Sequence, residues 1–482
     1  MKIYSIKFYL IYYYILMSTF KKDYDKQEEQ NDVTLVGIDL DSSIYSVIIN
    51  VISNILSNLK FTIFPIILES INYIFIGNYG DYSDTISYSI SILYINIIGL
   101  SFGIGIIDSF DEIDIKRNIA LIKENPNSSL KMYYDCTKFY LYLLMVFISL
   151  FSYFSKYFLI FFNFNEIILD KTEIIIKISI FSNFFILMHF FNLKILRISN
   201  LIKYCDKVNI TLILLHLIIS YLLFNLLENK IIALALSVLL SSFLIYVLSS
   251  YYVSRYAIVK ASHLSFEYES IPLLGLNYFK IACLYGLGNL INYLFFAVFI
   301  VLSIYLSDFE FAINSIIGNF MRLYFSLDLA MGLSYKYFHD FNNSNIFIEN
   351  HSRVFYYVYA STMFIVSIFV FCFHNYITDI YTSNDIIKSG VNSVLIVYPF
   401  YFILEGLICM LEQSYYLQKK KKYKRYNPIT IILNIIAIII FSPIAGLLAF
   451  YWEFSYGGIW ISYFELIVFK FFVYLIINLF KF

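Results

Sequence analysis

The residues of this sequence that could do chemistry are the charged ones within apolar stretches. Glu405 lies in the middle of the apolar stretch 390–412, between Leu404 and Gly406. An ionisable group in the hydrocarbon of a membrane costs about 2.5–3.5 kcal/mol on insertion scales, so its presence needs a reason. A buried carboxyl group can bind and release a proton near neutral pH because burial disfavours its charged form. Glu405 is therefore a candidate for proton or cation binding, and a structural hydrogen bond to a neighbouring helix is the alternative.

Two more charged residues stand in apolar stretches. Glu69 follows Pro65 by four residues, and Arg322 lies within 311–333. Each could line a cavity or be held by a partner on another helix. Asp328 is six residues after Arg322, which places the two on different faces of a helix, so they do not pair with each other.

Amides and aromatic rings extend the set of candidates. Asparagines interrupt three apolar stretches, at Asn72, Asn96, Asn289 and Asn292. Tyr398 and Tyr401 stand one or two turns before Glu405 and could form a cage for planar cations, with lipid-facing bulk as the alternative. The isolated histidines His189, His216 and His374 indicate packing or interfacial positions.

Several kinds of chemistry are excluded. The five cysteines contain no CxxC pair, which argues against structural zinc and a disulfide framework. No GxxxxGK[ST] motif is present for ATP hydrolysis, and the net charge of +0 gives no reason to expect nucleic acid. Asp111, Glu112 and Asp114 could belong to a membrane transferase, but no nucleophile or metal cluster accompanies them. We expect no cofactor and no enzyme activity.

The elements that must position these residues are membrane-spanning helices. Hydrophobic residues make up 60% of the 482 residues and charged residues 14%, about half the charge of a soluble domain. A span needs about 20 apolar residues, and twelve stretches meet this length. They lie near 58–77, 86–107, 137–161, 173–195, 208–227, 230–251, 280–305, 311–333, 353–375, 390–412, 428–450 and 456–478.

The longest internal connection, 252–279, divides the spans into two sets of six. We predict an all-α polytopic membrane protein with lobes at 48–251 and 280–482, as in duplicated transporters. Residues 1–47 form a separate N-terminal segment. Residues 3–20 favour a misassigned start or an interfacial segment, with a signal-like segment or an extra helix as alternatives, and the polar stretch that follows indicates a disordered tail.

Lysine and arginine predict the orientation. With the N-terminus in the cytoplasm, the inward loops carry most of the basic residues, including the KKKKYKR run at 419–425. The outward loops carry Lys171, Lys230 and Lys388. This asymmetry follows the positive-inside rule and places both termini in the cytoplasm.

Ordered motifs across the chain carry a family resemblance. The first two spans contain Pro65, a FIGNYG run with Gly77 and Gly80, and then Asn96, Gly99, Gly103, Gly105 and Asp111. Residues 397–412 and 427–461 continue the pattern with Asn434, Pro443, Gly446, Gly458 and Trp460. In this order the motifs resemble multidrug and toxin extrusion (MATE) transporters of the eukaryotic type.

The resemblance implies two six-helix bundles arranged as a V with pseudo-twofold symmetry. It also implies export of small aromatic or cationic organic compounds in exchange for H⁺ or Na⁺, with Glu405 at a position that takes part in coupling. The sequence departs from the family in having no glutamate at 281–305 or 311–327, and Asn72 replaces a carboxylate of some bacterial relatives. Glu69 is then the acidic residue left in the first span.

Other functions stay open at this point. A lipid-linked oligosaccharide flippase of the same superfamily is the main alternative, and a channel is a weaker one because no filter-like loop is visible. We expect a monomer in the plasma membrane or a vacuolar or other endomembrane. Its partners would be the lipid bilayer, a small organic substrate and a coupling ion.

Overall fold

The computed structural model describes residues 44–112, 126–162, 164–199, 201–257, 271–341, 345–419 and 428–480. The described residues form helices and contain no β-strand. The chain divides into two units between Ile49 and Asn50, and the described helices from Tyr82 onward belong to the second unit. The predicted misassigned start and polar tail fall on residues 1–43, which lie outside the described residues. The KKKKYKR run at 419–425 also lies outside them, apart from Lys419.

The first six predicted spans all coincide with helices. Their bounds are α1 Ile44–Tyr79, α2 Tyr82–Ile95, α3 Ser101–Asp108, α4 Pro126–Tyr153, α5 Ser155–Leu159, α6 Glu166–Ile198, α7 Ile202–Leu226 and α8 Lys230–Tyr256. Helices α2 and α3 form one span, joined by a π-helical turn at Asn96–Leu100. The two parts of α1, Val51–Phe64 and Ile66–Tyr79, meet at 45° on either side of Pro65, a residue type that has no backbone N–H to continue the helical hydrogen bonds.

The second six spans follow the same pattern. They are α9 Ile271–Ser303, α10 Asp308–Phe341, α11 Asn345–Tyr381, α12 Asp385–Leu395, α13 Tyr398–Lys419, α14 Pro428–Gly446 and α15 Ser455–Phe480. Helices α12 and α13 together form one predicted span and meet at 47°. A π-helical turn, Leu447–Tyr451, extends α14.

Nine of the described helices are long and apolar enough to cross a membrane, and the two bent pairs raise this number to 11. The remaining predicted span, 311–333 in α10, is not among them. Its polar side chains are buried inside the protein, since Asn314 and Asn319 are 1% and 2% exposed. A helix whose polar face is buried among other helices needs less apolar surface than one that faces lipid.

Short polar side chains begin the helices at loops. Asp81 caps α2 in a capping box with Asp84, whose carboxylate forms an ion pair with Lys171 at 2.6 Å. Partial burial opposes ionisation of Asp81, but hydrogen bonds from Ser83 and the Asp84 amide, with the charge of Lys171, lower its pKa. Asparagine side chains cap α6, α8 and α12 in the same way, at Asn165, Asn229 and Asn384.

The helices of each half pack mainly on one another. In the first half, α8 packs along α6 and α7, and α2 packs on α6. In the second half, α13 packs on α11 and α15. The halves pack closely where α3 meets α9, since a Cβ atom on Gly105 would overlap the backbone of Tyr285 and Gly286.

Candidate functional site

A polar pocket lies between the two halves. Helices α1 and α2 line it from the first half, and α9 and α10 from the second. Its empty volume is about 300 Å³, which includes space open to solvent. The lining residues are Glu69, Tyr73, Ser89, Ile92, Leu93, Tyr293, Phe296, Ile300, Ser315, Gly318, Asn319 and Arg322.

An ion pair joins the halves in this pocket. Arg322 Nη1 on α10 donates to Glu69 Oε1 on α1 at 2.6 Å. The Glu69 side chain is 11% exposed and that of Arg322 is 24% exposed. Opposite charges that are largely removed from water interact strongly, because the surrounding dielectric is low. Two of the sequence candidates thus meet, although 253 residues separate them.

Asn319 holds the ion pair in place. Its Nδ2 donates to Glu69 Oε1 at 3.3 Å, and its Oδ1 accepts from Ser70 Oγ and Tyr381 Oη, each at 2.8 Å. These contacts connect α1, α10 and α11. The Glu69 carboxylate is therefore positioned by two residues of α10, Asn319 and Arg322, and not by Arg322 alone.

Two of the candidate asparagines lie near the contact between the halves. Asn96, in the π-helical turn, is 6% exposed and hydrogen-bonds with Tyr293, which lines the pocket. Asn289 Nδ2 on α9 donates to Asp108 Oδ2 at the end of α3, at 3.2 Å. Lys194 is 3.6 Å from the other carboxylate oxygen of Asp108. These contacts position helices and leave no polar group of Asn289 in the pocket lining.

Asn72 lies in a separate network inside the first half. Its Oδ1 is 2.9 Å from His216 Nε2, and its Nδ2 donates to Tyr88 Oη at 3.1 Å. His216 Nδ1 is 2.9 Å from Ser241 Oγ. Asn72 and His216 are 5% and 1% exposed, and together they link α1, α2, α7 and α8.

Glu405 belongs to a polar cluster inside the second half. Tyr463 Oη donates to Glu405 Oε1 at 3.4 Å, and Lys470 interacts electrostatically with the same carboxylate. Lys470 Nζ donates to Asn434 Oδ1 at 2.7 Å, and Asn434 Nδ2 donates to Asn292 Oδ1 at 2.7 Å. The cluster therefore joins Glu405 to Asn292 through two residues on α14 and α15.

The candidate tyrosines are packed in the core of the second half. Tyr398 and Tyr401 are 1% and 6% exposed, with ring centroids 5.4 Å apart. Tyr401 Oη donates to the carbonyl oxygen of Trp460 at 3.0 Å. Neither tyrosine lines the central pocket, and the aromatic rings that do are Tyr73, Tyr293 and Phe296.

Sequence reasoning missed Lys470 and the roles of Asn319 and His216. Lys470 is an ionisable residue within an apolar span, so the argument used for Glu405 applies to it equally. His216 is also ionisable and lies in an apolar span, so its interpretation as a packing residue passed over the same signal. Asn319 gave no such signal, since single amides in helices also occur as packing features. The partners of Asn319 and His216 lie on helices that are distant in sequence.

Contacts between the halves occur on both sides of the pocket. Towards the start of α1, Asn58 Nδ2 donates to Ser334 Oγ at 2.8 Å and Thr62 Oγ1 to the Ser326 carbonyl at 2.8 Å. Towards its end, Asn78 Nδ2 donates to the Ile380 carbonyl at 2.8 Å. The ion pair lies between these two sets of contacts, so both sides of the interface between the halves are joined.

Comparison with solved structures identifies the fold. A eukaryotic MATE transporter, AtDTX14, matches with a TM-score of 0.72 and 14% identity over 90% of this chain and 95% of that chain. Inward-facing and outward-facing structures of a multidrug resistance MATE family transporter match with TM-scores of 0.67 and 0.68, each at 14% identity. These two cover 87% and 93% of this chain, and 96% and 98% of their own. No family model and no curated protein sequence matches.

Proposed function

We propose that this protein is a secondary active antiporter. Its fold is that of MATE transporters, with 12 membrane-spanning helices in two bundles. It would export small organic compounds across a membrane in exchange for H⁺. Likeness to transporters supports a transport role over catalysis. The finer proposal, antiport of organic compounds, is argued from the chain's own residues.

The observation that carries the proposal is the ion pair in the pocket between the halves. Charged groups this far from water are costly, and they occur where a substrate or ion passes. Glu69 belongs to one half and Arg322 to the other, so relative motion of the halves changes their separation. A site with this property is what alternating access requires.

We assign ion coupling to Glu405. It is partly buried among helices of the second half, and its carboxylate interacts with Lys470 and Tyr463. Na⁺ sites in transporters use several oxygen ligands. Among the described residues, Tyr463 supplies the one oxygen recorded at hydrogen-bond distance from this carboxylate. This sparse set of ligands favours H⁺ over Na⁺.

The alternative functions are less well supported by the pocket. A lipid-linked oligosaccharide carries a diphosphate, which a cluster of unpaired cations would bind. The pocket holds one cation, and that cation is paired with Glu69. A transferase would need a nucleophile or metal cluster, and the described residues contain no group of His, Cys, Asp and Glu that could hold a metal ion.

Transport by purified protein in lipid vesicles tests this proposal. Wild-type protein should move a fluorescent organic dye against its gradient when a pH gradient is imposed, and an equal Na⁺ gradient should not replace it. Glu405→Gln should lose the response to the pH gradient, because an amide cannot exchange the proton.

Glu228→Gln is the matched control. Glu228 is exposed in the loop between α7 and α8, so this variant should transport like the wild type. Dye movement that is unchanged in Glu405→Gln would contradict the coupling assignment. Failure of the wild-type protein to move any dye under either gradient would contradict the antiporter itself.

A further inference from the structure

Among the described residues, the central ion pair leaves part of each charged group without a hydrogen-bond partner. Both hydrogen bonds to the Glu69 carboxylate end on Oε1, and none among the described residues reaches Oε2. The Arg322 guanidinium has five N–H donors. Among the described residues, these donors make one hydrogen bond, to Glu69 Oε1. The pocket therefore presents a carboxylate oxygen and several guanidinium donors side by side.

Ser315 gives an independent indication of a ligand. Its side chain is 3% exposed and lines the pocket, and its hydroxyl has no hydrogen-bond partner among the described residues. Buried polar groups are nearly always satisfied, so an unsatisfied one at a pocket wall indicates a group that is not present in the structure. Ser315 lies two turns before Arg322 on α10, which places it on the same pocket wall.

The rest of the pocket lining is mostly apolar and aromatic, with Ser89 and Asn319 as its further polar residues. Tyr73, Tyr293 and Phe296 supply rings, and Ile92, Leu93 and Ile300 supply aliphatic surface. The empty space of about 300 Å³ includes space open to solvent, so it sets no size for a ligand. A small molecule with one aromatic ring and a short side chain matches the rings and the adjacent charges of this lining.

The charges decide which molecule of this size can bind well. A monovalent cation at Glu69 Oε2 adds a second positive charge beside Arg322, and the two repel each other in a site of low dielectric. A monovalent anion at Arg322 adds a second negative charge beside Glu69, with the same effect. A molecule that carries both charges compensates Glu69 and Arg322 together, so that neither is left alone when the pair opens.

We propose that the central pocket binds a small zwitterion with an apolar or aromatic body. Its ammonium group would contact Glu69 Oε2, its carboxylate would contact Arg322, and Ser315 would donate to the same carboxylate. This inference rests on the proposed transport function, because it assumes that the pocket holds the cargo. It also explains why the pair could separate during transport, since the cargo replaces each contact that is lost.

Binding of three matched probes tests the zwitterion assignment on wild-type protein. L-phenylalanine, phenethylamine and 3-phenylpropanoate share a ring and a two-carbon chain and differ in their charged groups. Binding to purified protein in lipid nanodiscs should be at least tenfold tighter for phenylalanine than for either singly charged probe. Equal or tighter binding of phenethylamine or 3-phenylpropanoate would overturn the proposal without any variant.

Variants then assign each charge to its residue. In Arg322→Gln the advantage of phenylalanine over phenethylamine should disappear, and in Glu69→Gln its advantage over 3-phenylpropanoate should disappear. Glu228→Gln and Arg255→Gln remove matched charges from exposed positions and should keep the wild-type order. If the single variants do not fold, Glu69→Gln combined with Arg322→Gln keeps the pocket neutral and should bind all three probes alike.

The dye assay distinguishes the two proposals. Coupled dye movement together with no preference for phenylalanine would reject the zwitterion and leave the antiporter in place. Preferential binding of phenylalanine without movement of any solute would support the pocket assignment as a binding site and reject the antiporter. Retained preference for phenylalanine in the double variant would reject the roles of Glu69 and Arg322.

Discussion

At the scale of single residues, the main feature is a pair of opposite charges placed between two halves of a membrane protein. Glu69 and Arg322 are 2.6 Å apart, and Asn319 orients the carboxylate. The attraction between two buried charges is offset by the loss of their hydration, so a pair of this kind adds little net stability. Removal of one partner, in contrast, leaves a charge with nothing to compensate it. In the proposed transport cycle, the pair would therefore act through its arrangement and through opening, and not through net stabilisation.

A double-mutant cycle measures this property. Arg322→Gln should lower the free energy of unfolding by about 2–4 kcal/mol, somewhat below the usual cost for a fully buried pair, because Arg322 is 24% exposed. Glu69→Gln should have a similar effect, and the double variant should recover most of the loss. Thermal unfolding of each variant in the same detergent measures the difference, with Arg255→Gln as the control. Additive losses in the double variant would show that the two charges do not stabilise each other.

At the scale of helices, close approach depends on residues without side chains. Gly105 on α3 packs against the backbone of Tyr285 and Gly286 on α9. Small residues allow helices in membranes to approach until backbones touch, and van der Waals contact then holds them together. This contact joins the two halves beside the pocket, so the space at Gly105 contributes to the position of α9 and of Tyr293.

Filling this space should separate the helices. Gly105→Val should reduce stability by about 3 kcal/mol or more, since the backbone of α9 cannot move away cheaply as a flexible side chain could. Gly457→Ala is the control, because nothing lies within 4 Å of a Cβ at Gly457. It should be neutral or slightly stabilising, as alanine favours helix over glycine. The yield of monodisperse protein and its unfolding temperature report both effects, and equal values for the two variants would contradict this role of Gly105.

At the scale of the whole molecule, contacts between the halves occur on both sides of the pocket. Asn58 and Thr62 contact α10 on one side, and Asn78 contacts the carbonyl of Ile380 on the other. In the proposed transport cycle, access to the pocket from either side would require the contacts on that side to break. The first side has two of these hydrogen bonds, and the second has that of Asn78 and one from the Ser383 amide to the Gly77 carbonyl. Each contributes about 0.5–1.5 kcal/mol net, which is a small cost for repeated opening.

Covalent linkage of one set should stop transport. Asn78→Cys with Ile380→Cys, joined by a short bifunctional thiol reagent, should abolish dye movement in vesicles, provided that exposed Cys372 is first replaced. The matched control is Lys156→Cys with Asp170→Cys, at an ion pair of 2.6 Å between α5 and α6 of the first half. Linkage within one half should leave transport intact. Full activity of the Asn78–Ile380 linked protein would show that this side of the interface does not need to open.

The sequence by itself determined the helical membrane fold and the number and order of its spans. Hydropathy over about 20 residues is a local property, so each span could be predicted without knowledge of its neighbours. The cost of a charge in hydrocarbon also singled out Glu405, Glu69 and Arg322 as residues that need partners. The ordered glycine, proline and asparagine motifs predicted the MATE resemblance, and the solved structures confirm the fold. The division into lobes at 252–279 and the roles of the candidate residues stay predictions.

Only the tertiary structure decided which candidates meet. Glu69 pairs with Arg322, Asn72 bonds with His216, and Glu405 interacts with Lys470, in each case across at least 65 residues of sequence. The tyrosines chosen for their proximity to Glu405 in sequence pack away from the pocket, while Tyr73 and Tyr293 line it. Helical periodicity gives the face on which a residue lies, but the neighbour of that face depends on how helices distant in sequence pack together. That packing is a property of the whole bundle, and no short stretch of sequence contains it.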